Sequence, residues 1–177
     1  RQMDTAIQFC KDNHCLLSMH AMGTRAIARV VDRAAREEKW NDGPEPYVRV
    51  EHITDPAQDS VRKAAEKGIG FVTQPIFMYA EIESYLNNLG QEWMKRCYPV
   101  RDLLDSGVKL CFSTDAPATS WAVPSDPFPN IKGAVTRRAW DGTDCGQDQA
   151  VDVETAIILY TKESADIVGF DRVGQLG

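Results

Sequence analysis

The sequence predicts an α/β protein built on a parallel sheet, and three observations carry that prediction. Short apolar runs alternate with amphipathic helical stretches along the whole chain, the pattern of strands joined by crossover helices. The strand-like runs carry few charges, as expected of a sheet covered on both faces. Three of them lead to His20, His52 and Asp115 at regular intervals, 32 and then 63 positions apart.

Taken in order, "MDTAIQFCKDN" has apolar residues at helical spacing and ends in an Asp-Asn turn. "CLLSMH" follows as a short strand. "TRAIARVVDRAAREEKW" is an amphipathic helix with Ala26, Ile27, Val30, Val31 and Ala34 as its apolar stripe. "NDGPEP" is a loop by composition. "YVRVEH" is the second strand. "DPAQDSVRKAAEKG" reads as a helix with Asp55 as N-cap, Pro56 at its first position and Gly68 past its end. "IGFVTQP" is the third strand, followed by a longer, partly helical insertion from Ile76 to Tyr98. "PVRDLLDSG" is a short helix and "VKLCFSTD" the fourth strand. A Pro-rich loop from Ala116 to Asn130 precedes helices near 131–139 and 152–168.

The intervals match an architectural unit. A (β/α)8 barrel spends about 250 residues on eight units, roughly 31 each. His20 and His52 are then one unit apart, and His52 and Asp115 two. All three fall at the C-terminal ends of predicted strands, where barrels build their sites. A doubly wound open sheet also binds ligands at that end, so spacing alone leaves both architectures standing. By strand alternation His52 shares a face with Val50 and Val48. If that face is a barrel interior, Arg49 and Glu51 point to the helix layer and pair there. Asp115 by the same rule shares a face with Ser113 and Cys111.

Composition excludes several classes. A net charge of −6 and a pI near 5.1, with no basic patch, argue against nucleic acid. No apolar run approaches the ~18 residues of a membrane span. The five cysteines are odd in number and show no C-x-x-C pair, which suits reduced thiols in a cytoplasmic protein. They read as packing residues, as do Trp121 and Phe128 in the loop. Phosphate-binding glycine loops and G-x-S-x-G elbows are absent. The chain opens without Met and stops on a turn sequence, which suggests a piece of a longer protein.

Two imidazoles and a carboxylate at one rim are suitable ligands for Zn²⁺ or a similar divalent ion. A carboxylate beside such an ion can take a proton from water and pass it to a leaving nitrogen, and Asp115 fits that role. Singly, a histidine at a strand end is more often structural, and an aspartate in "TDAP" more often a turn residue. Their coincidence at matching positions favours a site. His14 reads as a surface residue.

These residues resemble the amidohydrolase superfamily, in particular its amidohydrolase-3 branch with the YtcJ-like proteins. "HAMGTRAIARVVD" is similar to that branch's "HAxGDxA", "VRVEH" to "xRIEH", and "GIGFVTQP" to "GVxxSxQP". "YPVRDLLDSGVKLCFSTDAP" resembles "xPxRxLLDAGVxxxxGSDxP", and "IKGAVTRRAWDG" resembles "xxxAVTRxxxDG". The matches run in the right order along nearly the whole chain. The resemblance implies a metal-dependent hydrolase of amide-like C–N bonds in small molecules, cyclic or N-acyl, with one or two ions in the complete protein. It implies the second half, strands five to eight, of a distorted TIM (β/α)8 barrel, with residues 1–177 as a partial barrel domain. His20 and His52 would be metal ligands after strands five and six, and Asp115 ligand and general base after strand eight. The first-strand H-x-H pair, the acidic or carbamylated-lysine ligand of strand four and the flanking β-domain are not in this sequence. Thr24 stands where the branch usually has Asp, and "STDAPAT" replaces "GSDWPVA". The implied partner is the missing half-barrel, in cis or from another chain, a second copy included. Alone, the fragment is expected to be inactive. A silent half-barrel that binds or assembles is the alternative.

Overall fold

The computed structural model describes residues 2–175. Four parallel strands form one sheet in sequence order: β1 (Leu17–Ala21), β2 (Val48–His52), β3 (Gly70–Thr73) and β4 (Lys109–Phe112). That order has no reversal point, so the doubly wound alternative is not what these strands form. The helices are α1 (Gln2–Asp12), α2 (Thr24–Ala34), α3 (Gln58–Lys67), α4 (Pro75–Ala80), α5 (Ile82–Leu89), α6 (Gln91–Arg96), α7 (Val100–Asp105), α8 (Phe128–Thr136), α9 (Val153–Tyr160) and α10 (Lys162–Val168).

Several local expectations need correction. Helix α2 stops at Ala34, short of the predicted Trp40, and Ala26 lies outside its buried stripe of Ile27, Val30, Val31 and Ala34. Asp55 is not the cap of α3, which begins at Gln58, beyond Pro56; the turn spends Asp55 on other partners. Gly68 does close α3, in the left-handed conformation that glycine adopts without a Cβ penalty. Helix α8 starts earlier than predicted and ends at Thr136, where Arg137 turns left-handed with φ 47°. The tail helix is two helices, broken at Thr161, whose φ of −117° and ψ of −80° are not helical. The insertion after β3 is three short helices, with Gly90 (φ 81°) at the joint of α5 and α6.

The two sheet faces differ. Parallel pairing aligns Val48 with Leu17, Val50 with Met19 and Phe71, and Phe71 with Leu110, so these side chains share one face. They pack with Ile27, Val31, Ala64 and Leu103, so this is the helix-covered face and the main core. The opposite face aligns Ser18 with Arg49, and His20 with Glu51, Val72 and Cys111. There Arg49 Nε and Ser18 Oγ both donate to Glu51 Oε1, at 2.8 and 2.6 Å. The expected Arg49–Glu51 pair therefore exists, but on the face away from the main helix layer. That face is covered over β3 and β4, where Ile167 of α10 packs on Val72 and Cys111. Over β1 it is open, with Ser18 and His20 exposed. A sheet buried on both faces is thus only partly realised.

A second core holds the insertion in place. Arg137 is fully buried, and its guanidinium donates to the carbonyls of Gly146 (3.0 Å), Tyr98 (2.9 Å), Cys97 (2.9 Å) and Cys145. One side chain so joins the end of α6 to the loop after α8. Cys15 is exposed rather than packed, while the other four cysteines are buried, and all five are free thiols. Phe128 is 71% exposed and does not pack the loop, whereas Trp121 stacks edge-on against Tyr79.

Candidate metal and catalytic site

His20 and His52 meet at the C-terminal rim of β1 and β2, with ring centroids 4.4 Å apart and planes at 69°. Strict alternation would forbid this. His20 is in register with Glu51, and His52 with Ala21, so the two imidazoles should leave opposite faces. The contact exists because His52 has φ 81° and Ile53 φ 49°. Positive φ at a β-branched residue costs of order 1–3 kcal/mol and persists only where neighbours enforce it. Here Thr73 Oγ1 donates to the His52 carbonyl at 2.9 Å, and the Tyr98 amide to the Thr54 carbonyl at 2.7 Å.

The loops beyond the two strands are tied to each other. The Gly23 amide donates to Thr54 Oγ1 (2.9 Å), and Thr24 Oγ1 to Asp55 Oδ2 (3.2 Å). Trp93 Nε1 reaches the same Asp55 oxygen at 3.2 Å, which anchors the insertion to the rim. Thr24 therefore has a use at the position where the resemblance leads one to expect Asp.

His52 is buried at 7% exposure and sits edge-on to Phe77 at 5.9 Å. Burial and the neighbouring His20 push its pKa below the usual histidine range, while Asp115 and Gln74 oppose that shift. That shift favours the neutral imidazole, the form with a lone pair to offer. Its Nδ1 is buried and has no hydrogen-bond partner, and neither has the side-chain oxygen of Gln74.

Asp115 stands three residues past the end of β4, exposed, with φ 54°. It is off the strand, so the alternation that grouped it with Ser113 and Cys111 does not reach it. Cys111 is buried against Val72 and Ile167, and burial pushes its thiol up to about 12. It is a packing residue. The loop carrying Asp115 is held from below: Asn130 Nδ2 donates to the Ser113 carbonyl (3.1 Å), and Gln74 Nε2 to Ser113 Oγ (2.9 Å). Gln74 and Asn130 are the residues that sequence reasoning passed over. The signal for Gln74 was its place just after β3, one position beyond Thr73, the residue in register with His52.

The structure brings His20 and His52 together and leaves Asp115 on a neighbouring loop. Among the described residues no three His, Cys, Asp or Glu side chains gather closely enough to hold a metal ion. Two imidazole nitrogen donors, one of them buried and short of a partner, fit a borderline divalent ion as part of a ligand set. A cleft of about 520 Å³ lined by Pro44, Lys109, Ile167 and Phe170 lies at the opposite end of the sheet, by the start of β4. Among the described residues no helix is long and apolar enough to cross a membrane.

Known proteins are similar to this chain in sequence and fold. The chain is 28% identical over 155 residues to an N-substituted formamide deformylase of Arthrobacter pascens, covering 86% of this chain and 28% of that protein. A metal-dependent hydrolase of Pyrococcus furiosus superposes with a TM-score of 0.74 at 27% identity, covering 98% of this chain and 34% of that one. A second, from Pyrococcus horikoshii OT3, gives a TM-score of 0.79 at 24% identity, with the same coverage, and supports the fold. The chain thus spans about a third of the length of these proteins or less. The profile of the amidohydrolase family matches residues 1–177. With that match over all 177 residues, the chain belongs to the amidohydrolase family.

Proposed function

We propose that this chain is the second half, strands five to eight, of a distorted TIM barrel, and that its rim supplies part of the site of a metal-dependent hydrolase of amide-like C–N bonds. His20, His52 and Asp115 are its ligands to a divalent ion such as Zn²⁺, and the remaining ligands come from the other half of the barrel. When bound, such an ion lowers the pKa of a coordinated water to about 7 and polarises a carbonyl. Asp115 accepts a proton on its carboxylate and passes it to the leaving nitrogen. The neutral state of His52 keeps a lone pair available. The insertion from α4 to α6 and the loop from Ala116 to Asn130 shape the pocket for a small substrate. Kinship to a formamide deformylase makes N-substituted formamides the first substrates to try.

The observation that carries this reading is the contact between His20 and His52, made at the expense of two strained residues. In the full-length protein, His20→Ala and His52→Ala are each expected to cut bound metal at least tenfold, as read by elemental analysis. Asp115→Asn, which keeps an oxygen donor but loses the proton acceptor, should retain metal and lower turnover by about 10² to 10⁴-fold. Metal content unchanged in both histidine variants would refute the assignment. The absence of three gathered ligands among the described residues favours a second reading, a silent half-barrel that binds or assembles. Under that reading neither metal nor turnover would follow the histidines.

A further inference from the structure

We infer that Gln74 is a positioning residue for His52: its side-chain oxygen takes the Nδ1–H of the imidazole, leaving Nε2 as the nitrogen with a free lone pair, while its amide fastens that pair to the Asp115 loop through Ser113. The inference rests on the metal-site reading above and extends it to a residue outside the ligand set.

Gln74 is 1% exposed and follows Thr73, the residue in register with His52. Its Nε2 donates to Ser113 Oγ at 2.9 Å, two residues before Asp115. Its Oε1 is buried and accepts from nothing, and His52 Nδ1 is likewise buried and unpartnered. Buried polar groups are nearly always satisfied, because an orphan forfeits its bonds to water without replacement. Of these two orphans, one is a nitrogen able to donate and the other an oxygen able only to accept. They stand at the ends of adjacent strands, where the Gln74 side chain acts on the His52 imidazole, and one bond between them would satisfy both. A histidine that donates one ring N–H to a carbonyl is fixed in tautomer and ring orientation, and such partners tune the affinity of a metal-binding imidazole. Glutamine suits the role because it offers two functions: an acceptor for His52 and a donor for Ser113. Glutamate keeps the first alone, and leucine neither.

The test measures Zn²⁺ affinity of the full-length protein by competition with a chromophoric chelator, for wild type, Gln74→Leu, Gln74→Glu and His52→Ala. Gln74→Leu is expected to weaken binding by about 10- to 100-fold. Gln74→Glu, which keeps the acceptor, should stay within about threefold of wild type. Nitrogen-15 spectra of metal-free, histidine-labelled protein should show His52 protonated at Nδ1 in wild type and Gln74→Glu. Wild-type affinity in Gln74→Leu overturns the inference, as does an equal loss in both Gln74 variants, the mark of a merely structural role. Should Gln74→Leu fail to fold, a tenfold loss in folded Gln74→Glu, or His52 protonated at Nε2 in wild type, overturns it. Unchanged affinity in His52→Ala would instead sink the metal-site reading itself, so the two failures are distinguishable.

Discussion

At the scale of single residues, one backbone torsion decides what His52 can touch. With φ at 81° its ring leaves the helix-covered face and meets His20; an ordinary strand φ would bury it against the helices. Arg137 shows the other extreme, a cation buried without a carboxylate among its hydrogen-bond acceptors, held by four carbonyls. Arg137→Met should destabilise the fold by about 3 kcal/mol or more, because it strands those carbonyls in a dry core. Arg137→Lys should rescue little, since an ammonium cannot span four acceptors in a plane. Urea unfolding of the three proteins checks both. Glu37 carries the pH dependence most plainly. Hydrogen bonds from Lys11 and Arg33, each 2.7 Å, hold its carboxyl below the usual range. A depressed carboxylate contributes stability above its unfolded pKa of about 4.3, lost as pH falls through the folded value. Glu37→Gln should therefore be less stable than wild type at pH 7, and the gap should close as unfolding is followed toward pH 3.

At the scale of elements, burial rather than composition separates neighbours in α2. Ile27 is fully buried, while Ala26 beside it faces solvent. Ile27→Ala should cost about 2–5 kcal/mol in thermal or urea unfolding, and Ala26→Ser less than about 0.5. Only two residues separate the helix from β1, so a loss at Ile27 is also felt at the rim. There Gly23 and Thr24 tie the β1 loop to Thr54 and Asp55. The break at Thr161 has a consequence of the same kind. It frees α10 to turn onto β4, where Ser164 Oγ donates to the Phe112 carbonyl at 2.8 Å and Ile167 covers Cys111.

At the scale of the whole molecule, the sheet has two ends, β1 and β4, and a polar face open over β1. Unpaired strand edges template association with other chains. The 177-residue chain, expressed by itself, is expected to elute from size exclusion as oligomers or aggregate rather than at 19.8 kDa, and light scattering of the eluate checks the mass. Under the half-barrel proposal, co-expression with the other half should return it to one defined species.

The sequence by itself determined the order of strands and helices, because apolar periodicity and the glycine and proline punctuation are local. It also singled out His20, His52 and Asp115, spaced one and then two architectural units apart, and of these the structure brings the two histidines together. It misjudged helix ends at Ala34, Gln58 and Thr161, where tertiary partners outweigh capping signals. Only the tertiary structure decided which sheet face is covered, since alternation separates two faces without saying which one meets the helices. It alone showed that two strained residues swing His52 toward His20, and that Gln74 and Asn130 hold the loops around them. Such strain is enforced by contacts distant in sequence, and no local pattern of residues records it.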